Sequence, residues 1–81
     1  MEAVFVPQMD LTTDAVSVER WLVDVGSEVC EGDDVVEVGT DKATVVLTAP
    51  VDGRVVSLEV PVGGLARVGS TLALIEPRAR L

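Results

Sequence analysis

The stretch VDVGSEVCEGDDV, residues 23–35, returns 37 positions later as VPVGGLARVGSTL, residues 60–72. Val23, Val25, Gly26, Gly32 and Val35 align with Val60, Val62, Gly63, Gly69 and Leu72, so five positions keep one register. Chance among many valines and glycines does not hold a register that far. A half of about forty residues cannot bury an apolar face alone, so the two halves must pack on each other about an approximate two-fold axis. The stretch therefore reads as half of one domain built twice.

Working outward, the chain carries eighteen valines in 81 residues, set in short bursts between glycines. Branching at Cβ favours strands, and no segment sustains the i, i+3, i+4, i+7 pattern of an amphipathic helix. Strands are expected at 3–6, 16–22, 35–38, 43–48, 53–60 and 72–75, with shorter pieces at 28–30 and 65–67. Many short strands at this spacing predict an all-β sandwich or flattened barrel. Asp52-Gly53, between two apolar runs, reads as a hairpin or tight turn. Pro50 belongs at a strand end or edge because it has no N–H to donate. Pro77-Arg78-Ala79-Arg80-Leu81 breaks the pattern after Glu76, so 1–76 is read as the domain and 77–81 as a tail or the start of a linker.

Composition narrows the function classes. Fourteen acids against six bases give a net charge of -8, which phosphate backbones repel, and only Phe5 and Trp21 are available to stack on bases. Nucleic acid is excluded as a partner on that ground, whereas basic protein surfaces are attracted, mainly as faster encounter. No apolar run is long enough to span a bilayer, and Met1 leads straight into a strand pattern without a targeting leader. The expectation is a soluble, cytoplasmic domain with no membrane partner. The single Cys30 excludes an internal disulfide and, with no Cys/His cluster, a zinc site; a reducing compartment is its simplest home. The chain has no His and no Tyr. Its thiol has no evident base beside it, and Asp33-Asp34 sits in a turn-like stretch as solvated carboxylates. Autonomous catalysis is not expected.

One residue resists that bland picture. Lys42 is the only lysine; every other base is an arginine. It stands in polar residues between the apolar runs 35–38 and 45–47, where Asp and Lys suit the centre of a type I turn. Its side chain would project from a hairpin tip, a rigid place from which to offer an amine to a large partner. An exposed turn lysine is most often only a solvated charge; the absence of lysine from every other turn raises the functional reading.

Thr40-Asp41-Lys42-Ala43-Thr44, followed by Ala49-Pro50-Val51-Asp52-Gly53 and preceded by Trp21-Leu22-Val23 and the two V-x-V-G segments, resembles the lipoyl domain of the acyltransferase component of 2-oxo acid dehydrogenase complexes. The resemblance spans residues 3–76. It implies a flattened β-barrel, a barrel-sandwich hybrid of two four-stranded antiparallel sheets with quasi two-fold symmetry. It also implies lipoic acid in amide linkage on Lys42, attached by a lipoate ligase or lipoyl transferase. The arm would be reductively acylated at a thiamine-diphosphate 2-oxo acid decarboxylase, deliver the acyl group to coenzyme A at an acyltransferase core, and be reoxidised by a flavin dihydrolipoyl dehydrogenase. Asp41 and Ala43 would then help partners recognise the hairpin, with turn formation an equal reading for Asp41. By the same resemblance the loop of residues 8–14 lies near the tip and offers Met9 and Leu11 as contacts, unless one of them turns into the core.

The sequence departs from that family where Gly39 replaces a frequent Glu, where Asp14-Ala15 replaces a frequent Glu-Gly, and in lacking a glycine in the first loop. Those departures bear on which decarboxylase is the partner. Two alternatives stay open: a biotinyl carrier domain, whose ligases usually read methionines beside the lysine, and an unmodified barrel-sandwich adaptor.

Overall fold

The computed structural model describes residues 1–9 and 13–78. Among them are eight strands and no helix: β1 Glu2–Phe5, β2 Ala15–Trp21, β3 Glu28–Val29, β4 Asp34–Gly39, β5 Thr44–Thr48, β6 Gly53–Leu58, β7 Leu65–Arg67 and β8 Thr71–Pro77. Each expected strand is present, with ends moved by one or two residues. They form two four-stranded antiparallel sheets, ordered β1-β8-β6-β3 and β5-β4-β2-β7.

Adding four to each strand number, and counting on from β8 to β1, turns one sheet order into the other. The two-fold symmetry read from the repeat is thus a symmetry of the strand order. It extends to defects in the ladder. The β2/β4 pairing slips between Val18 and Arg20, and the β6/β8 pairing slips between Val55 and Ser57, 37 residues on. Gly26 and Gly63 have φ of 93° and 87°, in a region costly for any residue with a Cβ. From those turns the Gly26 N–H donates to the Val55 carbonyl and the Gly63 N–H to the Val18 carbonyl, each at 2.8 Å. Each half therefore closes a turn onto the other half's central strand.

Between the sheets lies a core of small branched side chains. Val6, Val18, Val35, Val36, Val38, Leu72 and Ile75 are fully buried, and among the described residues no polar or charged one is buried with them. Valine has few rotamers to lose and packs well on a pleated surface, so a thin sandwich can be filled without aromatic bulk. The one Trp lies at the margin, half-buried, and its Nε1 donates to the Val60 carbonyl at 2.8 Å, tying β2 to the second half.

One expectation needs correction. Asp52-Gly53 does not close a hairpin, because β5 and β6 belong to different sheets and Gly53 has no positive φ. The chain crosses between sheets there, and Gly53 is buried against β8. β8 itself runs one residue past Glu76. Pro77 is the last residue of β8, paired with Gly53. The Arg78 N–H donates to the Asp52 carbonyl at 2.9 Å, and its Nη2 donates to Glu28 Oε2 at 2.8 Å. That hydrogen bond raises the Arg78 pKa further above its already high value. Residues 79–81 are outside the described residues.

Candidate functional site

β4 and β5 form the hairpin that carries the lone lysine. Their last paired residues are Gly39 and Thr44, and residues 40–43 make the loop. Its geometry is the work of one threonine. The Thr40 N–H donates to the Ala43 carbonyl at 2.8 Å, while Thr40 Oγ1 accepts from the Lys42 N–H at 3.2 Å and from the Ala43 N–H at 3.1 Å. Its own hydroxyl is 3.2 Å from the Ala43 carbonyl and can donate there. A Ser or Thr hydroxyl that satisfies the N–H groups two and three residues on fixes a tight turn without glycine.

Asp41, Lys42, Ala43 and Thr44 are all exposed. Among the described residues, Lys42 Nζ has no ion-pair or hydrogen-bond partner. Below the loop the root is stiff: Val38 is fully buried and Val45 packs against the core. The result is a free primary amine at the end of a short, well-anchored post.

The first loop does approach this tip. Thr13, Asp14 and Ala15 line a shallow groove with Thr40, Asp41 and Lys42. The Asp14 carbonyl is held by the Val68 N–H at 2.9 Å. Of the two apolar residues offered by the loop, Met9 is half-buried and packs against the core, the turned-in alternative to a contact role. Leu11 lies outside the described residues. Asp41 makes none of the loop's hydrogen bonds given above, so turn formation falls to Thr40. The sequence signals this role of Thr40 only by its position two residues before the lysine, the spacing of an ST-turn.

Thr40→Ala removes the acceptor for two N–H groups, so a loss of about 0.5–1.5 kcal/mol in stability is expected. Urea denaturation measures it, and an NMR spectrum of the variant should show changes confined to the hairpin loop.

Chemically the site offers an amine. Among the described residues only the carboxylates of Asp14 and Asp41 and the hydroxyls of Thr13 and Thr40 line the groove with Lys42, and the lysine is exposed at the loop. A rigid β-barrel with one free amine at a hairpin tip defines a carrier type of protein.

Comparison with known proteins bears on that class. The family described as "Biotin-requiring enzyme" (biotin/lipoyl) matches residues 2–75. The lipoamide acyltransferase component of the branched-chain alpha-keto acid dehydrogenase complex of Pseudomonas putida is 43% identical over 61 residues, which cover 75% of this chain and 14% of that protein. The dihydrolipoyllysine-residue acetyltransferase component of the pyruvate dehydrogenase complex of Bacillus subtilis is 43% identical over 53 residues, 65% of this chain and 12% of that protein. The solution structure of the lipoyl domain of the 2-oxoglutarate dehydrogenase complex from Azotobacter vinelandii superposes with a TM-score of 0.79. It covers 98% of this chain and all of its own at 19% identity, which shows a shared fold. The chain belongs to the biotin/lipoyl attachment family. It spans 12–14% of the length of those two curated relatives.

Proposed function

We propose that this domain is a lipoyl carrier: Lys42 bears lipoic acid in amide linkage and presents it in turn to the active sites of a 2-oxo acid dehydrogenase complex. The observation that carries this reading is a sole lysine, exposed and without a partner among the described residues, at the tip of a hairpin rooted in the core. When bound, the group supplies a dithiol–disulfide couple able to hold an acyl group as a thioester, chemistry that one cysteine cannot provide. Thr40 holds the hairpin in shape, Val38 and Val45 anchor it, and the domain itself catalyses nothing.

Lipoate is preferred to biotin because the curated relatives above are acyltransferase components, and because Asp41 and Ala43 flank the lysine. On this reading a lipoate ligase or lipoyl transferase makes the amide. A thiamine-diphosphate decarboxylase, an acyltransferase core and a flavin dihydrolipoyl dehydrogenase then use the arm. Asp41 and Ala43 serve in their recognition. The net charge of -8 speeds encounter with basic docking surfaces. A cytoplasmic location belongs to the same proposal, and the exposed Cys30 stays a free thiol there.

The test is direct. The purified domain is incubated with ATP and either lipoate plus a lipoate ligase or biotin plus a biotin ligase, and intact mass is read. The expected result is one lipoyl addition, mapped to Lys42 by peptide mass, and no biotin. Biotin addition, or no addition of either group, overturns the proposal.

A further inference from the structure

One difference between equivalent sites in the two halves falls at the base of the lysine hairpin. In the second half Arg54 pairs with Glu76 across β6 and β8, Nη2 to Oε1 at 3.7 Å. The equivalent positions, 37 residues earlier, are Ser17 and Gly39, paired across β2 and β4. Gly39 brings no carboxylate, yet one is present. A Cβ added to Gly39 would collide with Glu19 Oε1 and lie 3.1 Å from Glu19 Cδ, so the Glu19 carboxylate fills that space.

The ladder explains how it gets there. Val18 pairs with Val38 and Arg20 with Glu37, which leaves Glu19 as the extra residue of a bulge. Bulges re-aim side chains. Ser17 Oγ then holds the carboxylate, donating to Oε1 at 3.1 Å, with the Gly39 carbonyl a longer alternative acceptor at 3.4 Å. The residue equivalent to Glu19 on β6 is Val56. The acid has thus been moved from the paired position to the bulge. It has also lost its cation: Glu76 is neutralised by Arg54, while Glu19 has no ion-pair partner among the described residues. Glu19 is exposed, so this carboxylate, set against Gly39 three residues before Lys42, is open to an incoming partner.

We infer that Glu19, seated over Gly39 and oriented by Ser17, is the charge by which the enzyme that acylates Lys42 recognises this domain, through an Arg or Lys side chain on that enzyme. This rests on the carrier reading above and names a specificity residue for it. The geometry suits the role. The base of the hairpin lies beside whatever surface encloses the tip, and the second carboxylate oxygen remains open to an incoming donor. Asp14 and Asp41 at the groove set the same sign of field.

The experiment compares rates of lipoyl addition by a purified lipoate ligase for wild type, Glu19→Gln, Glu19→Val and the double variant Glu19→Val with Gly39→Glu. The double variant copies the Val56 and Glu76 arrangement that β6 and β8 already accommodate. Glu19→Gln is expected to lower kcat/KM about tenfold, equivalent to roughly 1.4 kcal/mol, mainly through KM, with the melting temperature unchanged. Added salt should slow the wild type more steeply than Glu19→Gln, because screening acts on a charge pair that the variant lacks. Glu19→Val should lose as much, and the double variant should recover most of it. A Glu19→Gln rate within twofold of wild type, or no recovery by the double variant, overturns the inference while leaving the carrier reading intact. Failure of the wild type itself to be modified removes both.

Discussion

Lys42→Arg is expected to take up no lipoyl group while melting as wild type does. Both halves of that outcome follow from the site. The ligase needs a primary amine as nucleophile, and the delocalised guanidinium of arginine, protonated at any working pH, does not form the amide. The fold has no stake in the ammonium: Lys42 is exposed and has no partner among the described residues, and the turn is set by Thr40 through backbone N–H groups. A surface change of that kind shifts stability by about 0.5 kcal/mol or less. Intact mass and thermal melting on one sample read the two halves together. A lipoyl adduct on the variant would place the attachment point elsewhere. A large fall in melting temperature would mean that Lys42 is a structural residue.

The repeat made much of this fold legible before any coordinates. Register held from Val23 to Val35 against Val60 to Leu72 reappears as matching glycine turns and matching slips in the ladder. Local chemistry reported local structure well: alternation marked strands, and polar residues between valine runs marked the lysine hairpin. It failed wherever the answer depended on which strand lies alongside. Asp52-Gly53 signals a reversal, and a reversal occurs, but the dipeptide carries no information on whether the chain returns to the same sheet. Pro77 reads as a strand breaker, yet its missing N–H does not prevent it from closing β8 opposite Gly53. Glu19 reads as one more solvated acid, because a bulge exists only in relation to the partner strand. The functional amine was legible for a different reason. It is a property of composition, a single lysine, and composition does not depend on pairing.

The symmetry also shows where the two halves were driven apart. Position 16 and position 53 are equivalent under the 37-residue offset, yet one is Val and the other Gly. β4 makes its last pair with β2 at Ser17 and Gly39, then turns away into the lysine hairpin, so Val16 has no β4 residue opposite it. β8 has no hairpin to enter. It runs on, and Glu76 and Pro77 pair with Arg54 and Gly53. The longer ladder brings the β8 backbone over position 53, and only glycine leaves it room.

Gly53→Ala is accordingly expected to be among the most damaging single-methyl changes in the domain. The new Cβ would run into the Glu76 carbonyl oxygen and lie 2.8 Å from Ile75 Cγ2. The first obstacle is backbone, so relief requires β8 to shift against β6. β8 carries Leu72, Ala73 and Ile75, all fully buried, so a shift disturbs the core as a whole. Overpacking costs typically about 1–3 kcal/mol, and more when backbone must move; about 3 kcal/mol is the expected loss. A domain of this size has in total roughly 4–12 kcal/mol of stability, so a large fraction would vanish. Gly26→Ala is the control. Nothing lies within 4 Å of its Cβ, and its cost comes only from a φ of 93°, worth about 1–2 kcal/mol. Urea denaturation of the two variants side by side separates crowding from conformation. Equal losses would mean that β8 yields more easily than its packing implies, and the account of why β6 begins with glycine would have to be abandoned.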